Sequence, residues 1–152
     1  TADLYEIAEE EVSRLRDEAE KKNVKLNLTG EVAIVNGVSR LLHEIVFNLC
    51  DNAIKYNRDG GSVSVDVKAS DDGAVLTVSD TGIGIAPEDL PRIFERGYTG
   101  CNGRTDRRSS GIGLYLCRRV CDALGHTITA RSAPGEGTEI RIGLRRRGLT
   151  IE

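Results

Sequence analysis

The sequence predicts a two-layer α/β sandwich in which helices cover one face of a mixed, mostly antiparallel sheet. Long segments repeat apolar residues at helical spacing, short segments alternate apolar and polar residues, and turn residues separate the alternating segments. With 152 residues, 39% hydrophobic and 30% charged, the chain has the composition of one globular domain. We therefore expect a single domain over residues 1–152.

The first part of the chain predicts a helix followed by two strands. Asp3 and Glu6 have the spacing of a capping pair, and the apolar stripe behind them predicts a helix. Apolar and polar residues then alternate over 24–28. A turn is predicted at residues 29–30, and a strand that returns alongside the first is predicted over 32–35.

A long helix and a hairpin follow. Ser39 is the predicted cap of a helix that reaches about Tyr56, and the glycines at 60–61 lie beyond its end. Valines alternate over 63–67 and apolar residues over 74–78, with an Asp-Asp-Gly turn between them. This pattern predicts a hairpin with one buried face.

The last part of the chain predicts two helices, a loop and a second hairpin. A short helix is expected over 87–94 and a longer one over 114–124, which Gly125 ends. Strands are expected over 127–131 and 138–144. The long polar segment between the two helices, 97–110, is typical of a lid or binding loop. Its arginines have a charge that phosphate would attract: Arg104, Arg107 and Arg108.

Composition excludes several classes of protein. The net charge of −3 argues against nucleic acid as a partner. No apolar run approaches the roughly 18 residues of a membrane span, so we expect no direct membrane contact by these residues. Methionine is absent, even at position 1, which indicates a piece of a longer protein. The cysteines lack metal-site spacing and are expected to be buried, reduced thiols of a cytosolic domain: Cys50, Cys101, Cys117 and Cys121.

One face of the helix predicted over 39–56 is polar. Its side chains fall within an arc of roughly 80°: Glu44, Asn48, Asn52 and Lys55. A solvated face would explain polarity, but asparagine is a poor helix former. Amide oxygens suit a hard cation such as Mg²⁺, and an ammonium suits phosphate. On its own the stripe therefore fits a solvated helix face or a metal–phosphate site equally well.

Two glycine-containing loops complete the pattern. In 80–85, Asp80 can accept a hydrogen bond from an exocyclic amine, and the glycines permit close approach of a ligand. In 111–114 the glycines open a helix whose N–H groups suit phosphate. Each loop alone could be a turn or a helix start. Neither completes a P-loop or a Rossmann fingerprint, so those two kinds of site are excluded.

In this order, 48–56, 80–85 and 110–115 resemble the N, G1 and G2 boxes of the superfamily that joins gyrase, heat-shock chaperone, mismatch-repair and histidine-kinase ATPases. The chain is most similar to histidine-kinase catalytic domains. Residues 93–98 resemble the F box, and 135–138 resemble the last motif. The resemblance covers roughly residues 1–145 and implies the Bergerat-type ATP-binding fold.

The resemblance also assigns roles in a Mg-ATP site. Asn48 and Asn52 would bind Mg²⁺ and phosphate as the catalytic residues, and Asp80 would recognise the adenine amine. Other residues would contact the nucleotide: Lys55, Tyr56, Gly82, Ile83, Gly84, Ile85, Phe94, Ser110, Gly111, Ile112, Gly113, Leu114 and Thr138. Val38 stands where relatives often carry an acid, and we expect little effect because it precedes the helix.

Position 48 and the two histidines decide what receives the phosphoryl group. Gyrase-like relatives place a glutamate base at position 48, whereas Asn48 cannot accept a proton from water. His43 points away from Asn52 on the predicted helix, and His126 follows a helix-ending glycine. Both histidines are expected to be structural, so the acceptor would lie on an upstream dimerisation domain.

The resemblance therefore implies an ATP-dependent protein histidine kinase domain. It would be inactive in autophosphorylation without its histidine domain, would serve a response regulator through that domain, and would be the cytoplasmic part of a membrane protein. The segment from 98–100 through 124–126 also resembles kinases of Gram-positive bacteria that sense envelope-active peptides. An anti-sigma-factor serine kinase of the same fold and a degenerate nucleotide-binding module are the alternatives.

Overall fold

The computed structural model of the chain describes residues 1–95 and 113–146. The helices in this part of the chain are α1 (Leu4–Lys21), α2 (Ser39–Lys55) and α3 (Gly113–Leu124), with a 3-10 turn at Leu90–Arg92. The strands are β1 (Ala2–Asp3), β2 (Lys25–Gly30), β3 (Ile34–Val35), β4 (Ser62–Ser70), β5 (Gly73–Asp80), β6 (Thr127–Ser132) and β7 (Thr138–Arg145).

Five strands form one mixed sheet in the order β2-β4-β5-β7-β6. Strand β2 pairs in parallel with β4, and the other neighbours are antiparallel. Leu26, Val63, Asp80 and Thr138 lie opposite one another in successive strands. The end of β5 and the start of β7 therefore meet in the middle of the sheet.

The three helices lie against one face of this sheet. Alternate residues of the central strands point toward the helices and are almost fully buried, among them Val65, Leu76 and Ile142. Helix α2 lies between α1 and α3 and also contacts β4 and β5. The predicted two-layer α/β sandwich with a mixed, mostly antiparallel sheet is confirmed.

The strand predicted over 32–35 was expected to pair with the strand before it, and this pairing is wrong. Strand β3 pairs with β1 in a separate two-stranded sheet, while β2 pairs with β4. Gly30 is part of β2 and does not form a turn. A Cβ on Gly30 would lie 2.2 Å from the Val67 carbonyl oxygen, so the strand needs glycine for close approach to β4.

Two predicted helix starts need correction. Val38, and not Ser39, occupies the cap of α2, and no side chain caps that end. Asp3 does cap α1, where its Oδ1 accepts from the Tyr5 N–H at 3.1 Å. Within the described part of the chain Glu6 does not bond back to it. The short helix predicted over 87–94 is only the 3-10 turn, because Pro91 cannot donate an N–H inside a helix.

The described cysteines behave as predicted. Cys50, Cys117 and Cys121 are buried and free, whereas Cys101 lies outside the described residues. Burial raises the pKa of Cys50 and Cys117 to about 12 and that of Cys121 to about 11. These thiols are therefore protonated at neutral pH. None of the described helices is long and apolar enough to cross a membrane.

Candidate functional site

Asp80 ends β5 beside the first residue of β7. Its Oδ1 accepts from the Gly82 N–H at 2.8 Å and from the Thr138 N–H at 3.2 Å. Burial raises the pKa of Asp80, and the two backbone N–H groups partly oppose that rise. Among the described residues no donor bonds to Oδ2. The carboxylate is therefore held by one oxygen and keeps the other available to a ligand.

The loop after Asp80 is packed tightly against the protein's own backbone. A Cβ on Gly82 would lie 2.4 Å from the Tyr56 carbonyl oxygen, and one on Gly84 would lie 2.0 Å from that of Ala133. Gly84 also has a φ of 76°. These contacts alone require glycine at both positions. The structure thus gives both glycines a structural role, as the turn alternative allowed, that does not depend on a ligand.

The β6–β7 turn supports the same loop. The Ser132 hydroxyl accepts from the Ile85 N–H at 2.8 Å, donates to the Gly137 carbonyl at 2.7 Å, and lies 2.9 Å from the Thr138 hydroxyl. A Cβ on Gly137 would lie 1.9 Å from the Asp80 carbonyl oxygen. Thr138, which was predicted from the resemblance, therefore lies beside Asp80, and Ser132 is a supporting residue that the sequence reading missed.

A second polar group that the sequence reading missed follows α2. Asn57 is 7% exposed; its Nδ2 donates to the Ser62 carbonyl at 2.9 Å, and its Oδ1 accepts from the Arg58 N–H at 2.8 Å. The Thr81 hydroxyl bonds to Asn57 and to the Ser62 N–H. The only sequence signal for Asn57 was a polar residue directly after the predicted helix. Asparagine is common in such turns, so the signal did not single it out.

Asn48, in the polar stripe of α2, lies against the start of α3. A Cβ on Gly113 would lie 3.4 Å from Asn48 Oδ1, so the first residue of α3 lies directly against that amide. Asn48 and Asn52 are each partly exposed, one helical turn apart. The Lys55 ammonium lies 2.9 Å from Asp51 Oδ2 in an i,i+4 ion pair. Lys55 was predicted to meet phosphate, and in this structure its partner is Asp51.

The other predicted site residues divide into three groups. Tyr56 accepts a bond from the Ile83 N–H through its backbone oxygen, and its side chain is partly exposed. Phe94 and Leu114 pack against the hydrophobic core, with the Arg118 guanidinium 5.7 Å from the centre of the Phe94 ring. The remaining predicted contacts, Ser110, Gly111 and Ile112, lie outside the described residues, as does the predicted lid over 97–110.

Both histidines make structural contacts. His43 Nδ1 lies 2.8 Å from Oε2 of Glu11, a buried acid on α1 that is 2% exposed. His126 is 4% exposed and is bonded to backbone groups at both ring nitrogens. These contacts agree with the prediction that both residues are structural.

Comparison with known proteins identifies the family. A sequence model of histidine kinase-, DNA gyrase B- and HSP90-like ATPases matches residues 37–148. The chain belongs to this ATPase family. The mycobacterial sensor histidine kinase MprB has a similar structure, with a TM-score of 0.85 and 29% identity over 97% of this chain and 99% of that chain. The catalytic domain of histidine kinase ThkA, at 18% identity and a TM-score of 0.78, supports the fold.

Named relatives of this histidine kinase-like ATPase domain are sensor kinases. It is 43% identical to the sensor histidine kinase YxdK of Bacillus subtilis over 91 residues, which are 59% of this chain. It is 41% identical to Hik2 of Synechocystis over 120 residues, 72% of this chain. The match spans 28% of the length of each relative. The envelope-peptide-sensing subgroup stays a prediction.

Proposed function

We propose that this domain binds Mg-ATP and donates the γ-phosphoryl group to a histidine on a separate dimerisation domain of a two-component sensor kinase. The observation that carries the proposal is the Asp80 carboxylate. Its Oδ1 is held by two backbone N–H groups, while Oδ2 has no donor among the described residues. Burial disfavours a carboxylate without a partner, and an adenine amine would supply the missing donor.

The residues present fit a magnesium ion and phosphates. Asn48 and Asn52 offer hard amide oxygens from one face of α2, and Lys55 offers a positive charge on the next turn. No group of three His, Cys, Asp or Glu side chains within the described ranges could hold a metal. Mg²⁺ would therefore be held by the two amides together with phosphate oxygens, and would offset the negative charge of the phosphates.

The protein's part in transfer is positioning. Phosphoryl transfer needs an in-line nucleophile and a stabilised charge. Asn48 cannot take a proton from water, and His43 and His126 are engaged in structural bonds. We infer that the acceptor histidine lies on the upstream dimerisation domain of the full-length protein, which would pass the phosphoryl group to a response regulator. A membrane location of that protein stays a prediction.

Titration calorimetry tests nucleotide binding. Wild type should bind ATP or ADP and bind GTP much more weakly, because the guanine carbonyl would face the Asp80 carboxylate. Asp80→Ala should weaken ATP binding by about 1.5–3 kcal/mol, the value of a charge-assisted hydrogen bond. Equal affinity of wild type for ATP and GTP would exclude the adenine role of Asp80.

Labelling with γ-labelled ATP tests transfer. The chain alone should gain almost no label and should hydrolyse little ATP. Addition of the dimerisation domain of its full-length protein should produce acid-labile label on a histidine of that domain. Robust label on His43 or His126 would contradict the proposal, and label on the serine of an added protein would favour a serine kinase.

A further inference from the structure

Arg58 joins two loops of the candidate site. Its Nη2 donates to the Gly82 carbonyl at 2.9 Å and to the Gly135 carbonyl at 3.0 Å. The Gly135 N–H in turn donates to the Ile83 carbonyl at 2.8 Å. The three hydrogen bonds close a ring that runs through the loop after β5, the β6–β7 turn and the arginine side chain.

The arginine itself is fixed at its backbone. The Arg58 N–H donates to Oδ1 of the buried Asn57 at 2.8 Å. Two residues earlier, the Tyr56 carbonyl accepts from the Ile83 N–H at 3.2 Å. The segment that ends α2 therefore contacts both Gly82 and Ile83, once through a side chain and once through the backbone.

Both loops held by Arg58 also contact Asp80. Gly82 donates its N–H to Asp80 Oδ1 and accepts from Arg58 through its carbonyl. The β6–β7 turn that contains Gly135 leads into Thr138, whose N–H donates to the same Oδ1. The direction in which Asp80 Oδ2 faces thus depends on two N–H groups, and Arg58 ties together the loops that carry them.

We propose that Arg58 is a positioning residue that sets the selectivity of this site for adenine. The proposal rests on the proposed ATP-binding function. Discrimination between an amine and a carbonyl requires a carboxylate held at a fixed angle, because hydrogen bonds weaken steeply when they are misaligned. If the ring is broken, the carboxylate can turn, and the preference for a base with an amine falls.

The test compares ATP with inosine triphosphate, which carries a carbonyl in place of the amine. Titration calorimetry of the full chain should show that Arg58→Gln lowers ATP affinity about fivefold, an effect below that of losing one charge-assisted bond outright. Affinity for inosine triphosphate should change little, so the ratio of the two affinities falls. Arg58→Lys, which keeps the charge without the planar fork, should restore part of the ratio.

Arg16→Gln is the matched control. Arg16 also donates from its guanidinium to a backbone carbonyl, that of Leu26 at 2.8 Å, but on the edge strand β2, two strands away from Asp80. It should leave the affinity ratio unchanged. An unchanged ratio in Arg58→Gln, or an equal fall in both variants, overturns the role of Arg58. Failure of wild type to bind ATP would instead overturn the proposed function itself.

Discussion

The two ring nitrogens of His126 define its protonation state. Nε2 lies 3.0 Å from the Asn36 carbonyl oxygen and must donate, whereas Nδ1 accepts from the Arg145 N–H at 3.0 Å. This pair of partners requires the neutral imidazole with its proton on Nε2. Burial lowers the pKa of His126, and the nearby Arg145 charge lowers it further, against an opposing effect of the Asn36 bond. The residue connects the start of β6, the end of β7 and the segment before α2.

We expect His126 to make the fold sensitive to mild acid. Since its pKa is lower in the folded state, the unfolded chain binds more protons below about pH 6.5, and the free energy of unfolding should fall as pH drops through that value. Urea unfolding at about pH 7.5 and about pH 5.5 measures this fall. His126→Gln should be less stable at the higher pH and lose less on acidification. A loss as large as that of wild type would show that other groups cause the pH dependence.

Helix α2 has distinct polar residues on two sides. Asn48 lies against the start of α3 and shares the polar stripe with Asn52 and Lys55, while His43 lies toward α1 and contacts Glu11. The apolar residues between the two sides pack into the core. One helix therefore serves both the α1 contact and the candidate site, and the contributions of its two sides can be tested separately.

The contributions of Lys55 and Asp51 to stability and to ligand binding can be distinguished by substituting each residue in turn. Both Lys55→Ala and Asp51→Asn remove the same i,i+4 ion pair, which should cost about 0.3–0.5 kcal/mol of stability in either variant. Only Lys55→Ala should weaken Mg-ATP binding, by about tenfold or more, because it removes the charge proposed to meet phosphate. Calorimetry and urea unfolding measure the two effects. Equal loss of binding in both variants would assign Lys55 a role within α2 alone.

The Glu11–His43 pair should hold α1 against α2. Removal of His43 leaves the carboxylate of Glu11 buried without its 2.8 Å partner, so His43→Ala should lower the free energy of unfolding by about 2–3 kcal/mol. Glu10 also lies near His43, at 3.5 Å, but it is half-exposed, and Glu10→Gln should change stability by well under about 0.5 kcal/mol. Comparable losses from the two variants, measured by urea unfolding, would rule out a special role for Glu11.

At the scale of the whole molecule, the sequence predicted the features that depend on residues close together in the chain. Helices α1, α2 and α3 and both antiparallel hairpins follow from periodicity within short segments, whereas the site roles of Asp80 and Thr138 come from the resemblance and stay predictions. The pairing of β2 with β4 could not be predicted from local sequence, because a parallel pairing joins residues that are distant in sequence and no turn marks it. Arg58 and Ser132 were missed for a related reason: their roles depend on backbone carbonyls and N–H groups of other loops, which have no sequence signature.

The family match begins at Gly37, yet the fold uses residues before it. Helix α1 contributes Leu4, Val12 and Leu15 to the core, and β2 covers the edge of β4. A chain of residues 37–152 should therefore lose cooperative unfolding and bind a dye for exposed apolar surface. Circular dichroism during urea unfolding measures cooperativity. A shortened chain with wild-type stability would show that α1 and β2 are dispensable.

The parallel pairing of β2 with β4 also bears on the order in which the chain assembles during synthesis. Strand β2 emerges from the ribosome before α2, and its partner begins only at Ser62. Until then β2 has no strand to join, whereas β4 and β5 are separated only by a short turn and can pair as soon as both have appeared. Contacts between distant segments form slowly because a long loop must close first. Within these residues β2 is therefore synthesised well before the strand with which it pairs, and its pairing has to wait until α2 and the start of β4 have appeared.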